Sequence, residues 1–315
     1  MKNKRVLVVC ANPIDATSFY RAWGCLYDIQ KRYDIVFDAY EDYKGFTWKN
    51  VIQYDMAIFQ RAAGGASQLA KYFKDAGIPI VYDLDDNFWE IPATFNIKEH
   101  FNSVTLGTIE DCINMADMVT TSTEALSNYI YKLLGVKCET INNGIDLNKY
   151  PILPYNNNGA TVWRGSETHK TDLREFREVF ESIETEIEFW GFDPVRSSPY
   201  LNVNKSIYVK GLDPIVYFNT LRAKNISTIL SYLVDDEFNR CKSNIAWIEA
   251  TMCGAVCMSN GVGEFKNVPH IKELDTDNEQ RQSIYNESKQ LVEDKYNLQR
   301  LNDSRFELYM NLMHG

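Results

Sequence analysis

The stretch NRCKSNIAWIEATMCGAVCMSN, residues 239–260, contains a long apolar run and several polar residues, of which four stand out: Asn239, Lys242, Ser243 and Glu249. From Ser243 onward, the apolar residues are typical of a mostly buried helix. Gly254 ends that helix, and residues 255–258 predict a short buried strand. Glu249 falls within the apolar run, where an ionised carboxylate is costly unless it is paired or hydrogen-bonded. We therefore expect Glu249 to face a polar ligand in a cleft; the alternative is an N-capped helix whose glutamate is satisfied internally.

Strands and helices alternate along the whole sequence. In the first half, apolar segments predict strands at residues 5–10, 34–39, 56–60, 80–83 and 136–141, a further short strand at the end of 116–122, and helices near residue 19 and at 67–76, 105–115 and 123–134. In the second half, strands are predicted at 160–163, 186–190, 206–209, 226–230 and 255–258, and helices at 168–180, 214–221 and within 278–310. This alternation favours right-handed βαβ units, so we expect an α/β architecture with doubly wound parallel sheets.

A polar segment divides the sequence near its middle. Residues 147–159 carry two prolines and four asparagines, and they follow the turn NNGID at 142–146. A chain of 315 residues is long for a single core and suggests two domains. We therefore predict one domain at 1–150, a second at 151–280, and helices at 281–315 that pack back on the body.

Charged and polar residues follow the predicted strands of the first half. Gln60 and Arg61 end one strand, and Asp83, Asp85 and Asp86 end the next. Ligands of doubly wound sheets bind at these carboxyl ends. The three acidic residues suit a divalent metal, sugar hydroxyls or a cap for the next element, and the sequence leaves these roles open. A response-regulator pocket is disfavoured, because its acidic residues follow the first strand and a single receiver domain would leave most of the chain unexplained.

Arg21 is predicted to lie in the first turn of the first helix. An anion there would meet both the helix N-terminus and the guanidinium group, while the alternative is an ordinary surface arginine.

The composition excludes several classes of protein. A net charge of −10 and a pI near 5.0 disfavour broad nucleic-acid binding. No run of 18 or more apolar residues is present, and the start, MKNKRVLVVCANP, indicates a strand rather than a signal peptide. Seven cysteines without a CxxC pair indicate buried thiols in a reducing cytoplasm. Four histidines without ligand spacing argue against a zinc site, and the absence of GxGxxG argues against a nicotinamide enzyme.

Several segments carry a more specific resemblance: YDLDDNFWEIP (82–92), ADMVTTST (116–123), INNGIDLNKY (141–150), WRGSETHKTDL (163–173), FWGFDP (189–194) and FNRCKSNIAWIEATMCGAVCMSN (238–260). With them the chain resembles, over nearly its full length, the GT-B-fold nucleotide-sugar glycosyltransferases near family 4 and the group-1 glycosyltransferase domain. The resemblance implies two Rossmann-like domains that face each other across a cleft. The donor, a UDP-sugar in preference to a GDP-sugar, would bind the C-terminal domain and the acceptor the N-terminal domain.

The resemblance also implies roles for single residues. Glu249 would hold the ribose hydroxyls and Arg164 the diphosphate, with Lys242 or Lys170 as a second cation. The other donor-side residues implied are Trp163, Gly165, His169, Gly191, Asn239 and Ser243, and the acceptor-side residues are Arg21, Gln60, Arg61 and Asn143. His169 is expected to be a donor-site or helix-entry residue rather than a general base.

One position departs from the family's pattern. The partner of Glu249 in the E-x7-E motif is Cys241 here, so the contacts to the donor sugar would need Asp236, Glu237, Asn239 or Lys242 instead.

The reaction implied is hexosyl or pentosyl transfer in the cytoplasm of a bacterium or a phage-infected host, with retained configuration, no catalytic metal and no tightly bound cofactor. Asp83, Asp85, Asp86, Arg164 and Lys242 are the expected catalytic set. The acids would bind hydroxyls, or one of them would act as the base of an inverting enzyme. A non-catalytic nucleotide-sugar-binding protein and an epimerase of the same fold are the alternatives. The acceptor stays open between a glycan, a protein, a lipid-linked sugar, a small molecule and a hydroxymethylated DNA base.

Overall fold

The structure, a computed structural model, describes residues 4–10, 15–33, 35–40, 46–62, 65–197 and 201–314. The chain divides into two compact units. The first comprises Met1–Ile91, Lys98–Ile145 and Leu298–Gly315, and the second comprises Pro92–Ile97 and Asp146–Asn297. The short segment Pro92–Ile97 thus belongs to the second unit, although the chain on either side of it belongs to the first.

The first unit is built on a parallel sheet. Its strands are β1 (Lys4–Cys10), β2 (Ile35–Tyr40), β3 (Met56–Gln60), β4 (Ile80–Leu84), β5 (Met118–Thr121) and β6 (Cys138–Thr140). Within the described residues they form one six-stranded sheet in the order β2-β1-β3-β4-β5-β6. Every residue of β3 and β4 is buried. Such continuous burial is typical of parallel strands that are covered on both faces, as their apolar sequences predict.

Helices connect these strands and cover the sheet. They are α1 (Ala16–Arg21), α2 (Trp23–Arg32), α3 (Trp48–Val51), α4 (Ala66–Asp75), α5 (Ser103–Met115), α6 (Glu124–Leu134) and, from the end of the chain, α14 (Leu298–His314). The predicted helix near residue 19 is divided at Ala22. Leu298 and Tyr309 of α14 pack with α2 and β1 in one apolar core, so the last helix completes the first unit.

The second unit repeats the architecture. Its strands are β7 (Ala160–Arg164), β8 (Ile187–Gly191), β9 (Ser206–Lys210), β10 (Ile226–Ser231) and β11 (Val256–Ser259). They are parallel and, in the part of the chain that the structure describes, lie in the order β11-β10-β7-β8-β9. The prediction of two parallel α/β sheets is therefore confirmed.

The helices of the second unit are α7 (Lys170–Glu175), α8 (Arg177–Glu181), α9 (Pro194–Ser197), α10 (Pro214–Ala223), α11 (Glu237–Arg240), α12 (Ile245–Met252) and α13 (Asn278–Lys295). The single helix predicted at 168–180 is wrong in one respect, because a short 3-10 turn, Glu167–His169, precedes α7 and the helix breaks at Phe176. The Phe176 ring packs instead against Tyr232, with 5.2 Å between the ring centres.

The stretch at 239–260 folds nearly as predicted. Helix α12 begins at Ile245 rather than Ser243, because the preceding turn contains Asn244, whose amide donates to the Tyr296 hydroxyl. Gly254 ends the helix with a φ of +77°, and a Cβ there would overlap the carbonyl oxygen of Pro154. Strand β11 follows directly, so glycine is needed at this turn both for its conformation and for its size.

The seven cysteines are all free. Cys10 and Cys257 lie in strands and Cys112 in a helix, as predicted, whereas Cys253 follows the last residue of α12. Among the described residues, no helix is both long and apolar enough to cross a membrane.

Candidate functional site

Two residues with predicted donor contacts lie side by side in the second unit. Arg164 is the last residue of β7, and Glu249 lies in α12. The Nε atom of Arg164 is 2.8 Å from Oε2 of Glu249. The hydroxyl of Tyr217, in α10, donates to the same oxygen at 2.9 Å. The Glu249 side chain is 2% exposed and that of Arg164 20% exposed, so the glutamate is paired inside the protein by an arginine that reaches solvent.

Two glycines allow the strand ends to approach closely at this point. The amide of Gly165, which follows Arg164, donates to the carbonyl of Trp190 at 3.0 Å. Gly191 has a φ of +93°, and a Cβ there would lie 2.5 Å from the carbonyl oxygen of Gly165. A side chain at Gly191 would therefore push β7 and β8 apart where Arg164 leaves the sheet. Trp163, by contrast, is buried in the core against Phe189.

His169 forms the centre of a second cluster in the same unit. Its Nδ1 is 2.8 Å from Oδ2 of Asp172, and its Nε2 is 3.5 Å from Nζ of Lys242. Burial and the neighbouring Lys242 ammonium lower the pKa of His169, although Asp172 opposes them. The ring is therefore neutral near pH 7, with its proton on Nδ1 facing the carboxylate and Nε2 accepting from the lysine.

Asp172 connects His169 to the polar end of α11. Its Oδ1 accepts from the backbone amide of Val234 at 2.8 Å and from Nδ2 of Asn239 at 3.0 Å. The same Asn239 nitrogen also donates to the carbonyl of Val234 at 3.0 Å. Asn239 is thus a buried structural partner of Asp172. Asp172 and Tyr217 are not among the predicted site residues, although the His-x-x-Asp spacing on a predicted helix is a usable signal for Asp172.

Lys242 is held against an aromatic pair. Its Nζ lies 4.7 Å from the centre of the Phe238 ring, and Phe95 packs edge-on against that ring at 5.8 Å between centres. Lys170, the other candidate for the second cation, is ion-paired with Glu167. Ser243 follows Lys242 in the turn before α12.

The residues around the missing first glutamate are already engaged. Cys241 is fully buried. Asp236 caps α11 by accepting from the Asn239 amide at 2.7 Å, and Glu237 lies 3.6 Å from Nη1 of Arg240. Of the proposed substitutes for that glutamate, Lys242 is the one that faces His169.

The candidate residues of the first unit form two clusters at the carboxyl ends of its strands. In the first, Arg21 pairs with Asp83, and its guanidinium group also donates to the carbonyl of Ile141 and to Oδ1 of Asn143. Thr120 donates to Oδ1 of Asp83 at 2.6 Å. Arg21 is buried here at the end of α1, so the alternatives of a surface arginine and of a first-turn arginine are wrong.

The second cluster contains Arg61, which has a φ of +51°. Its Nη2 donates to Oδ2 of Asp15 at 2.5 Å. Nearby, Oδ1 of Asp85 is buried without a hydrogen-bond partner. Burial and the charge of Asp86 raise the pKa of Asp85 to about 7, against the opposing effect of Arg61. Among non-glycine residues that the structure describes, Arg61 is the one with positive φ, and such strain is concentrated at functional sites.

Gln60 precedes Arg61 and is fully buried. Its Oε1 accepts from the Ser18 hydroxyl at 3.1 Å, which connects β3 to α1. Within the described ranges, no group of three or more His, Cys, Asp or Glu side chains is arranged to hold a metal ion.

No protein-family model and no curated protein matches the sequence. Solved structures do share the fold. An α-glucosyltransferase in complex with UDP superimposes with a TM-score of 0.61 and 11% identity, over 96% of this chain and 99% of that one. HepE of Anabaena in complex with UDP-glucose superimposes with a TM-score of 0.62 and 16% identity, over 98% of this chain and 99% of that one.

The DNA-modifying enzyme β-glucosyltransferase gives a TM-score of 0.59 and 12% identity, over 99% of this chain and 100% of that one. These likenesses extend over nearly the whole of each chain. They establish that the chain has the two-unit α/β fold of the GT-B glycosyltransferases.

Proposed function

We propose that the chain is a glycosyltransferase that moves a sugar from a UDP-sugar to an acceptor hydroxyl. The observation that carries this proposal is the Arg164–Glu249 pair, 2.8 Å apart at the end of a parallel strand. Parallel α/β sheets bind their ligands at this edge. The fold is shared with structures that contain UDP and UDP-glucose, which supports a nucleotide sugar as the ligand.

In this proposal the second unit binds the donor. Arg164 and Lys242 bind the diphosphate, on which negative charge grows as the glycosidic bond breaks. Cations fixed in advance stabilise that charge without reorganisation. The neutral His169, oriented by Asp172, holds Lys242 in position rather than transferring a proton.

Glu249 binds the ribose hydroxyls, and Gly165 and Gly191 let the ends of β7 and β8 lie close together where Arg164 leaves the sheet. Asn239 acts indirectly, because it fixes Asp172. Trp163 and Ser243 are the chain neighbours of Arg164 and Lys242, and we assign them a part in positioning those two side chains. Uridine is favoured over guanosine, since two of the fold neighbours contain a uridine nucleotide.

We assign acceptor binding to the first unit, with Asp85 and Asp86 as hydrogen-bonding partners of the acceptor hydroxyl. Asp83 is less suited to this role, because Arg21 and Thr120 occupy its carboxylate. Arg61 balances the charge of the acids, while Gln60 and Asn143 fix the strand ends. Transfer with retention needs no strong base and no metal, because the leaving phosphate accepts the proton of the acceptor.

The proposal is tested by incubating the protein with UDP-glucose and following the products by proton NMR. Transfer or slow hydrolysis with a new α-anomeric signal is the expected result. Arg164→Met should lower the rate at least tenfold, while Arg196→Met, whose side chain is 88% exposed in the same unit, should not. UDP affinity without turnover would identify a binding protein instead, and a new sugar nucleotide formed without acceptor would identify an epimerase.

A hydroxymethylated DNA base is the second candidate acceptor, favoured by the DNA-modifying neighbour of the same fold. The net charge of −10 works against a long DNA contact. A direct comparison decides between the two classes: UDP-glucose is supplied with either hydroxymethylated duplex DNA or a mixture of simple glycosides, and incorporation of labelled glucose is measured. The free cysteines favour the reducing cytoplasm as the place of action.

A further inference from the structure

Tyr217 contacts the charged centre of the donor-side cluster without being part of a predicted motif. Its hydroxyl donates to Oε2 of Glu249, the oxygen that also faces Arg164. Its ring packs edge-on against Trp190, with 6.0 Å between ring centres. Burial and the Glu249 charge raise the pKa of the Tyr217 phenol well above its usual range, so the hydroxyl stays a donor at neutral pH.

Helix α10 holds Tyr217 in place from both ends. At its start, Asp213 caps the helix by accepting from the Ile215 amide at 3.0 Å. At its end, Nζ of Lys224 lies 2.8 Å from Oε1 of Glu188 in β8. Glu188 in turn accepts from Nε1 of Trp190 at 3.1 Å, so one network fixes the helix end and the ring that Tyr217 packs on.

In the proposed reaction, Arg164 interacts with both Glu249 and the diphosphate. When the guanidinium group binds the diphosphate, its ion pair with the buried Glu249 is weakened. A buried carboxylate without a partner is costly, and a hydrogen bond that favours the charged form reduces that cost. The Tyr217 hydroxyl supplies such a bond from a helix that does not carry Arg164.

We propose that Tyr217 is a positioning residue for Glu249, which holds the carboxylate aimed at the ribose when Arg164 engages the diphosphate. This inference rests on the proposed function. It makes Tyr217 a determinant of ribose recognition, although its own hydroxyl binds protein rather than nucleotide.

The test compares UDP with its 2′,3′-dideoxy analogue, which lacks the hydroxyls that Glu249 would bind, by calorimetric titration. Tyr217→Phe keeps the ring and removes the hydroxyl. The variant should bind UDP roughly three- to tenfold more weakly, about the effect of losing one typical hydrogen bond, while affinity for the analogue changes less than about twofold. In a Glu249→Gln background, the additional Tyr217→Phe change should have no further effect on UDP.

Tyr208→Phe is the matched control, because Tyr208 is an exposed tyrosine of the same unit and should leave both affinities unchanged. Tyr217→Met, checked by circular dichroism, provides a second replacement without a hydroxyl in case the phenylalanine variant folds poorly. Equal losses for UDP and the analogue, or no loss for UDP, would overturn the role of Tyr217 and leave the proposed function intact. If the unmodified protein binds neither nucleotide, the proposed function fails and this inference fails with it.

Discussion

Arg21 and Asp83 form a two-point ion pair inside the first unit. Nε of Arg21 is 3.0 Å from Oδ2 of Asp83, and Nη2 is 2.5 Å from Oδ1. The side chains are 1% and 7% exposed, so the pair is removed from water. The Thr120 hydroxyl donates a further hydrogen bond to the Asp83 carboxylate, and the carbonyl of Ile141 accepts one from the Arg21 guanidinium group. The pair therefore ties α1 to the ends of β4, β5 and β6.

Asp83→Leu should lower the free energy of unfolding by about 3–5 kcal/mol, because it leaves a buried guanidinium group without its counter-ion. Urea denaturation followed by circular dichroism measures the change. The double variant Arg21→Met/Asp83→Leu should lose less than the single variant, since both charges are gone. Asp75→Leu is the control: Asp75 pairs with Lys71 on the surface, where the loss is below about 1 kcal/mol. A cost for Asp83→Leu no larger than for the control would contradict a structural role for this pair.

Asp85 should make the first unit less stable as the pH rises. Its folded-state pKa, about 7, lies above the ordinary value of 3.8, mainly because of burial and then of Asp86. The native state therefore holds the proton more tightly than the unfolded state. The stabilising contribution is complete below about pH 4 and is lost as the pH rises through 7.

Asp85→Asn removes this titration. Compared with the unmodified protein, the variant should gain stability progressively between pH 4 and pH 7, and the difference should be constant at higher pH. Thermal unfolding across a pH series measures it, with the exposed Asp75→Asn as the control. A constant difference over that whole range would show that Asp85 titrates normally.

The features that the sequence predicts correctly are those that depend on residues close together along the chain. Strand β3 has the bounds that its sequence predicts, because a continuous apolar run next to turn residues is a local signal. The resemblance to a family implies that Arg164 and Glu249 belong to one donor site, and the two side chains are in contact, although their pairing with each other is not predicted. The sequence also predicts the acidic cluster, but not its division into an Asp83 that pairs with Arg21 and an Asp85 whose pKa is raised.

The features that sequence reasoning missed come from contacts between distant parts of the chain. Tyr217 and Glu249 are 32 residues apart, and no spacing rule joins a residue of α10 to one of α12. The segment Pro92–Ile97 belongs to the second unit, where Phe95 packs on Phe238, although no pattern in the sequence separates it from the residues on either side. Such placements depend on tertiary packing, which local propensity does not encode.

Phe95, in the segment Pro92–Ile97, should help to hold the Lys242 side chain in place. It is 5% exposed and packs on Phe238, whose ring lies under the Lys242 ammonium group. Phe95→Ala should cost about 3–5 kcal/mol of stability, as expected for a buried phenylalanine, and should weaken UDP binding through a less ordered Lys242. Ile207→Ala, at an exposed position of the same unit, is the control for both readouts. If Phe95→Ala were as stable as the unmodified protein and bound UDP equally well, Phe95 would have no part in positioning Lys242.

Gly165 should be needed for its small size. A Cβ there would lie 2.8 Å from the Trp163 ring and 3.0 Å from Cδ2 of His169, so Gly165→Ala must displace one of the two aromatic side chains. Overpacking of this kind lowers the free energy of unfolding by about 1–3 kcal/mol. UDP affinity should also fall, because a displaced His169 would no longer hold Lys242 in position.

Gly107 offers the matched glycine-to-alanine control in the other unit. It lies inside α5 with no atom within 4 Å of an added Cβ, so Gly107→Ala should stabilise the protein by about 0.5–1 kcal/mol through helix propensity alone. Isothermal titration with UDP and thermal unfolding of both variants give the comparison. If Gly165→Ala binds UDP as tightly as Gly107→Ala does, the turn after β7 tolerates a side chain, and the close packing of His169 against it has no part in holding the donor.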